Sequence, residues 1–179
     1  YDLVAWLVSL GRWKSWIFSV LPEVRGPRVL ELGHGPGHLQ VELFKGGFQP
    51  FGLDRSPQMG RLAARRLKAA RVGSNLVRAD AAHLPYANNA FDQIVATFPS
   101  EYILQSQTLA ETHRVIRASG SLVVLPVAWI RGRGALERLA AWLFRVTGQA
   151  SVWDGSFSEP IRRAGFRVEE KRVLLPGSE

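Results

Sequence analysis

Short runs of strand-forming residues alternate with longer runs of helical pattern along the chain of 179 residues. This alternation predicts right-handed βαβ crossovers and a largely parallel sheet with helices on both faces, the doubly wound α/β fold. In such a sheet, ligands bind at the carboxyl ends of the strands, where the strand order reverses. The predicted strands are residues 28–33, 51–54, 74–80, 91–98, 121–127 and 166–175. The predicted helices are residues 38–47, 56–71, 102–116, 135–146 and 158–165.

A glycine-rich turn follows the first predicted strand. The stretch VLELGHGPGHL carries Gly33, Gly35 and Gly37 at alternate positions, with Glu31 two residues before the first of them. A dinucleotide fingerprint would need its third glycine where His38 stands, and no Gly-Lys-Ser/Thr sequence of a Walker A loop is present. A nicotinamide-dependent oxidoreductase therefore stays open as an alternative that His38 disfavours.

Two further acidic residues end neighbouring predicted strands. Asp54 closes the second strand and Asp80 the third. A carboxylate at this position accepts hydrogen bonds from ribose hydroxyls, and no cationic side chain stands in the turn itself to bind a phosphate. The pattern favours a nucleoside without phosphate, such as S-adenosyl-L-methionine, whose amino group and sulfonium suit the carboxylate of Glu31.

Four sequence blocks carry a family resemblance. VLELGHGPGHL, GLDRSPQM, VRADAAHLPYANNAFDQIVATF and ETHRVIRASGSLVVL resemble, in this order, the motifs of class I S-adenosylmethionine-dependent methyltransferases. The ubiquinone/menaquinone-biosynthesis group, often labelled type 11, is the most similar, and the resemblance covers roughly residues 1–175. It implies a Rossmann-like sheet and S-adenosyl-L-methionine as cofactor. The family's seventh, antiparallel strand would begin at PGSE, where the given sequence stops, so either the natural protein continues beyond this point or the strand is absent.

The resemblance also implies which residues contact each part of the cofactor. The methionine portion would lie against Glu31 and the glycine turn, with Thr97 bordering its amino group. Asp54 would bind the ribose, Asp80 and Ala81 the adenine edge, and Met59 the adenine face. His34 departs from the family's small residue or cysteine in the turn, and RASGS replaces its usual Pro-Gly-Gly. The candidate cofactor-binding residues are Glu31, Gly33, His34, Gly35, Gly37, Asp54, Arg55, Met59, Asp80, Ala81 and Thr97.

Catalytic residues are less evident than binding residues. The sulfonium is already an activated leaving group, so methyl transfer needs alignment and desolvation more than an acid–base pair. Tyr102 and Glu101 follow the fourth predicted strand, where family members carry acceptor-side residues, and they are the candidates. A tyrosine packed in the core is the open alternative for Tyr102.

The first 26 residues form a predicted helical segment distinct from the methyltransferase domain expected over residues 27–179. Trp6, Leu10, Trp13 and Ile17 share one helical face. This face either packs on the sheet or forms a lid that makes an apolar acceptor pocket with the aromatic helix at 135–146. The lid hypothesis predicts an apolar or aromatic small-molecule acceptor, and the arginines near that helix extend it to peripheral contact with anionic lipid.

Composition limits the remaining alternatives. The net charge of +8 indicates either an anionic partner or a solvated arginine-rich surface, but the basic residues are scattered and nucleic acid is disfavoured. The absence of cysteine excludes disulfides and thiolate chemistry, and the four histidines lack metal-ligand spacing, so no metal is expected. We expect a cytoplasmic protein. A non-catalytic S-adenosylmethionine-binding protein remains the alternative to an enzyme, and the oligomeric state is not predicted.

Overall fold

The computed structural model of the chain describes residues 12–126 and 157–175. The strands are β1 Arg28–Leu32, β2 Gln49–Leu53, β3 Leu76–Val77, β4 Phe91–Thr97 and β5 Ile116–Leu125. The helices are α1 Trp13–Phe18, α2 His38–Lys45, α3 Pro57–Ala70, α4 Ser106–Val115 and α5 Ser158–Arg163. Two short 3-10 helices cover Leu21–Glu23 and Glu101–Leu104.

The five strands of the described ranges form one parallel sheet in the order β3-β2-β1-β4-β5. The chain moves outward from β1 to β3 and then crosses back to place β4 on the other side of β1. Glu31 of β1 therefore pairs with Gly52 of β2 on one side and with Val95 of β4 on the other. The carboxyl ends of β1 and β4 flank the point where the strand order reverses, which is the predicted position of the ligand.

Each face of the sheet has its own hydrophobic core, since alternate residues of a strand point to opposite faces. On one face, Val29 and Val95 pack with Ile17 near the end of α1 and Leu43 of α2. On the other face, the cluster of Leu30, Leu32, Ile94 and Ala96 extends to Val115 of α4 and to Phe157 and Phe166 at the two ends of α5. The doubly wound α/β arrangement predicted from the sequence is confirmed.

The helix start at the second crossover also follows the sequence expectation. The Ser56 hydroxyl accepts a hydrogen bond from the amide of Met59, and Pro57 occupies the first turn of α3. A serine cap and a proline in the first turn both suit a helix start, because the cap satisfies an otherwise unpaired amide and proline lacks the amide that would need one.

The predicted helix 102–116 and the fifth predicted strand differ from the structure. The predicted helix 102–116 is divided at Gln105, whose extended backbone separates the 3-10 helix from α4. Strand β5 begins at Ile116 rather than at Ser121, and its register against β4 shifts between Phe91 and Gln93. Gly120 lies in this irregular stretch, where a Cβ would stand 2.6 Å from the carbonyl oxygen of Asp92.

The predicted sixth strand at 166–175 has no strand over its described residues 166–174, and Leu175 makes a single isolated β-bridge. Phe166 and Val168 are half-buried and Arg167 and Glu169 exposed, so the alternation that indicated a strand is present there without a strand ladder. Side-chain alternation satisfies the packing part of the strand pattern only, because the backbone also needs a neighbour with a free edge.

The predicted helix at 135–146 lies outside the described residues, as do Trp6 and Leu10. Among the helices that the structure describes, none is long and apolar enough to span a bilayer.

Candidate functional site

The turn between β1 and α2 depends on glycine conformations. Gly33, Gly35 and Gly37 all have positive φ angles, of 73°, 51° and 81°. A Cβ on Gly37 would stand 2.9 Å from the Cβ of Ala63 in α3, and one on Gly33 would stand 2.8 Å from the Tyr102 hydroxyl. Both the left-handed backbone and the close packing require glycine at these two positions.

Hydrogen bonds tie this turn to the end of β2. The amides of Gly33 and His34 donate to the carbonyl of Leu53 at 2.7 and 3.2 Å. The amide of Gly35 donates to Asp54 Oδ2 at 2.9 Å, and the amide of Ser56 donates to Oδ1 at 2.8 Å. Two backbone donors thus hold the Asp54 carboxylate in a defined orientation at the carboxyl end of the sheet.

Glu31 is buried near the end of β1, with 2% of its surface exposed. Its Oε2 accepts a hydrogen bond of 2.7 Å from Gln40 Nε2 of α2. Burial raises the pKa of Glu31 to about 8; the Gln40 hydrogen bond opposes this rise and the charge of Asp54 adds to it. The carboxyl group is therefore largely protonated at neutral pH until a cation approaches it.

His34 is also buried, and its Nδ1 lies 2.7 Å from the carbonyl oxygen of Gly35. Burial lowers the pKa of His34 below its ordinary value, although this hydrogen bond and the charge of Asp54 act in the opposite direction. The imidazole is therefore neutral at physiological pH. It brings no positive charge to the turn.

A cavity of about 300 Å³ opens beside these groups. Small-molecule sites span about 300–1,000 Å³, so the cavity is at the lower end of that range. Its polar side carries the carboxylates of Glu31 and Asp54, and its lining among the described residues contains no lysine or arginine. The lining residues are Trp13, Ile17, Glu31, Gly33, His34, Gly35, Pro36, His38, Leu39, Asp54, Ser56, Met59, Thr97 and Phe98.

Aromatic side chains form another wall of the cavity. Trp13 of α1 stacks on Phe98 with ring centroids 4.6 Å apart and an interplanar angle of 25°. Phe98 follows β4 directly and has a φ of 47°, a left-handed conformation that costs a non-glycine residue about 1–2 kcal/mol. Strained backbone of this kind occurs at functional sites, where surrounding structure maintains it.

The predicted cofactor-binding residues are thus divided by the structure. Seven of them line the cavity, whereas Gly37 packs behind the turn against α3. Arg55 and Asp80 lie outside the lining on the exposed side of the β2 and β3 ends, with 3.6 Å between Nη1 and Oδ2. Asp80 Oδ1 accepts from the amide of Ala82 at 2.9 Å, and Ala81 is buried in the hydrophobic core. The seven lining residues are Glu31, Gly33, His34, Gly35, Asp54, Met59 and Thr97.

The two candidate catalytic residues lie apart from the cavity lining. The Tyr102 hydroxyl donates to the carbonyl of Leu32 at 3.2 Å, directly behind Gly33. Burial raises the pKa of Tyr102 above its ordinary value, and the nearby carboxylates add to this shift. Glu101 is exposed at the start of the 3-10 helix. In this arrangement, the hydrogen bond from Tyr102 stabilises the backbone just before the glycine turn.

Sequence reasoning missed Gln40 and the role of Phe98. Gln40 is a polar residue between Leu39 and Val41 on the buried face of α2, which is the signal that marks it. Phe98 had no local signal, because its partner Trp13 is distant in the sequence. Trp13 and Ile17 were predicted on the N-terminal helical face, and both line the cavity.

Comparison with known proteins agrees with this geometry. Residues 29–120 match the methyltransferase domain family. The demethylmenaquinone methyltransferase of Thermobifida fusca is 30% identical over 151 residues, covering 82% of this chain and 64% of that protein. The demethylmenaquinone methyltransferase of Deinococcus radiodurans is 33% identical over 204 residues, covering 98% and 83%. The chain thus spans less than two thirds of the length of the Thermobifida relative.

Solved structures share the fold. A SAM-dependent methyltransferase of Thermotoga maritima, described as a possible histamine N-methyltransferase, superposes with a TM-score of 0.63 at 21% identity. This superposition covers 91% of the present chain and 75% of the Thermotoga chain. The family resemblance of the four sequence blocks is therefore confirmed. With a family match over about half its length and a 33% identical relative along nearly all of it, the chain belongs to the methyltransferase domain family and has the Rossmann-like fold of class I S-adenosylmethionine-dependent methyltransferases.

Proposed function

We propose that the protein transfers the methyl group of S-adenosyl-L-methionine to an apolar or aromatic small molecule. The observation that carries this proposal is one cavity with two carboxylates on its polar side and an aromatic wall beside them. A cationic, phosphate-free nucleoside suits the polar side, because the described lining offers carboxylates and no lysine or arginine. An acceptor without charge suits the aromatic wall.

The two carboxylates of the cavity lining suit the ribose and the amino-acid portion of the cofactor. Asp54 is held by two amides, and its remaining lone pairs are available to ribose hydroxyls. Glu31 uses Oε2 for Gln40, and its Oε1 accepts no hydrogen bond from any described residue. The other proposed contacts follow the predicted assignments: Met59 on the adenine face, Asp80 and Ala81 on the adenine edge, Arg55 beside them, and Thr97 near the amino group.

The chain's own contribution to the reaction is alignment and exclusion of water. Bound S-adenosyl-L-methionine supplies an activated methyl group, so no acid–base pair is required for an acceptor that is already nucleophilic. Trp13, Ile17 and Phe98 desolvate the side of the cavity next to Thr97. Tyr102 holds the turn through the Leu32 carbonyl. Catalysis by Tyr102 or Glu101 is therefore not part of the proposal.

The acceptor is proposed to be a planar ring system, with a quinone-type ring as the first compound to test. The stacked pair of Trp13 and Phe98 favours a flat apolar ring. The names of the Thermobifida and Deinococcus relatives specify demethylmenaquinone. We propose that residues 1–26 act as a lid over this ring, since α1 supplies both Trp13 and Ile17 to the cavity. Peripheral contact with anionic lipid is part of the same proposal, and vesicle flotation measures it directly.

Calorimetry with S-adenosyl-L-methionine, S-adenosylhomocysteine and NAD tests the cofactor. We expect binding of the first two and none of NAD. Asp54→Asn should weaken binding at least tenfold, because it removes the charge that favours the ribose hydroxyls. Asp92→Asn is the matched control, since Asp92 also accepts a backbone amide, from Arg28 at 2.9 Å, but lies at the other end of the sheet. Equal losses in both variants would contradict the proposed site.

Turnover distinguishes an enzyme from a non-catalytic binding protein. Reduced demethylmenaquinone analogues are incubated with the protein and S-adenosyl-L-methionine, and release of S-adenosylhomocysteine is measured. We expect release that depends on the ring compound and falls in Trp13→Ala. Tight cofactor binding without release for any quinol, phenol or amine acceptor would favour the non-catalytic alternative.

A further inference from the structure

Gln40 is a fully buried amide on a helix face that is otherwise apolar. It lies on α2 beside Leu39 and Val41, with no exposed surface. Its Nε2 donates to Glu31 Oε2 at 2.7 Å and to the carbonyl of Phe51 at 3.2 Å, whereas its Oε1 has no partner among the described residues. A buried carbonyl without a partner opposes folding, so stability alone does not account for this glutamine.

A glycine in the neighbouring strand β2 leaves space for the Gln40 side chain. Gly52 of β2 pairs with Glu31 in the sheet. A Cβ on Gly52 would stand 3.1 Å from Gln40 Cδ and 3.0 Å from His34 Cδ2. The nearest atom to that Cβ would be Leu76 Cδ2 of β3, at 2.7 Å. A side chain at position 52 would therefore press on Leu76 and, less closely, on the amide that contacts Glu31.

A second buried glutamine shows the difference between a structural role and a positioning role. Gln93 of β4 is 1% exposed, and both of its polar atoms are satisfied. Its Oε1 accepts from the amide of Arg25 at 2.9 Å, and its Nε2 donates to the Glu23 carbonyl and the Ser121 hydroxyl at 3.0 and 2.7 Å. Gln93 joins backbone segments away from the cavity, whereas Gln40 bonds a carboxyl group of the cavity lining.

We propose that Gln40 is a positioning residue that holds Oε2 of Glu31 and leaves Oε1 for the ammonium of the cofactor's amino-acid portion. This inference rests on the proposed function, because it requires a cationic ligand beside Glu31. Gln40 contacts no ligand in this arrangement. It acts through Glu31 by fixing the direction of one carboxylate oxygen and by stabilising the charge that the ligand requires.

The groups around Glu31 determine how this contact responds to pH. Asp54 faces it from the end of β2, Tyr102 from the 3-10 helix and Gln40 from α2, and His34 of the turn lies close to the Gln40 side chain at Gly52. Burial and the Asp54 charge raise the pKa of Glu31, and only the Gln40 hydrogen bond lowers it. Binding of an ammonium at neutral pH therefore releases a proton from Glu31. Loss of the Gln40 donor moves this release to higher pH.

Calorimetry of S-adenosylhomocysteine binding between pH 6 and 9, in buffers of different ionisation enthalpy, counts the released protons. For the wild-type protein we expect affinity to fall as pH decreases below about 8, by up to tenfold per pH unit. Gln40→Met keeps the length of the side chain but removes the donor. We expect at least tenfold weaker binding at pH 7 and a profile displaced to higher pH. The ligand's own ammonium titrates equally with every variant, so the difference between variants isolates Glu31.

Gln93→Met is the matched control, because it removes an equally buried amide remote from the cavity. It should lower stability without displacing the pH profile. An unchanged affinity and pH profile in Gln40→Met would overturn the inference. If that variant does not fold, Gln40→Asn keeps the amide but shortens its reach, and an unchanged profile there has the same meaning. Failure of the wild-type protein to bind S-adenosylhomocysteine at any pH would instead overturn the proposed function.

Discussion

Two glutamates of the described chain have opposite surroundings. Glu31 is buried beside the cavity with a single hydrogen bond from a neutral amide, and its pKa is raised. Glu111 of α4 receives Arg114 Nε at 2.6 Å and Nη2 at 2.7 Å, together with the amide of Leu84 at 2.7 Å. The Arg114 hydrogen bonds hold the pKa of Glu111 below its ordinary value.

The difference separates a binding group from a structural one. Arg114 also donates to the carbonyls of Leu84 and Tyr86 at 3.0 and 2.7 Å, so the pair with Glu111 fastens the loop after β3 to α4. Hydrogen bonds from Arg114 and from the Leu84 amide compensate the charge of Glu111 within the protein. No cationic side chain among the described residues pairs with Glu31, so a negative charge on it would need a cation from outside. An uncompensated buried carboxyl is a stronger functional signal than a carboxylate in an ion pair.

The largest expected effect concerns the turn that follows Glu31. Gly37→Ala should lower the free energy of unfolding by about 3 kcal/mol, because a left-handed alanine costs about 1–2 kcal/mol and the contact with Ala63 adds overpacking. Gly47 has a similar φ of 84° with no atom within 4 Å of the added Cβ, so Gly47→Ala should cost only about 1 kcal/mol. Urea unfolding measures both. Equal losses would mean that packing contributes nothing at the turn.

The pH dependence of stability tests the burial of Glu31 directly. Its pKa is raised from 4.5 to about 8 on folding, so its contribution to stability is complete below pH 4.5 and is lost as pH rises through about 8. Glu31→Gln should abolish this decline, which we expect to be about 3 kcal/mol between pH 5 and 8 in the ligand-free protein. Thermal unfolding across this range measures it. A variant that retained the wild-type slope would show that another group titrates.

The Glu111 pair should respond in the opposite direction. Its lowered pKa means that its contribution to stability is present above pH 4.5 and is lost as pH falls towards the folded value. Arg114→Met should cost about 2 kcal/mol at pH 7, since it removes charged hydrogen bonds from a partly exposed pair. Arg163→Met breaks the more exposed pair with Glu159 and should cost less than about 0.5 kcal/mol. If Arg114→Met lowers the free energy of unfolding no more than Arg163→Met does, the pair does not hold the loop after β3 to α4.

The smallest expected effect is the loss of ligand affinity when Asp80 is replaced, compared with the loss when Asp54 is replaced. Asp80 is exposed, outside the cavity lining, and its pKa is lowered by the Ala82 amide and the Arg55 charge. Asp80→Asn should weaken S-adenosylhomocysteine binding about threefold, since an exposed hydrogen bond contributes under about 1 kcal/mol. Asp54→Asn should weaken it at least tenfold. Calorimetry at pH 8 compares them, and a larger loss for Asp80→Asn would mean that the adenine edge dominates recognition.

The fold was predictable where the signal was local. Ser56 and Pro57 mark the start of α3, and alternating strand and helix patterns indicate the parallel sheet. The division of the predicted helix at Gln105 and the register shift in β5 were not predictable, because each depends on pairing with distant chain segments. Residues 166–174 have the alternation of a strand but form no strand, and only Leu175 makes an isolated β-bridge. Hydrophobic periodicity reports a side-chain environment and not a hydrogen-bonded neighbour.

The candidate site shows the same division. Glu31, Asp54 and the glycines were identified from spacing and from the family resemblance. Gln40 and Phe98 were not, since burial of an amide and stacking on Trp13 are contacts between elements. Asp80 and Tyr102 lie outside the cavity lining, and this also depends on the arrangement of the strand ends. Spacing identifies the edge of the sheet on which a residue lies but not the direction of its side chain.

By itself, the sequence determined the position of the turn, the helix that follows it and the presence of carboxylates at the strand ends. Dihedral preferences of glycine and hydrogen-bonding of a cap are properties of a few consecutive residues, so they can be read locally. Only the tertiary structure decided that Glu31 is buried with a raised pKa and that Trp13 stacks on Phe98 in the wall of the cavity. Burial and electrostatic surroundings depend on which distant segments come together, and no short stretch of sequence contains that information.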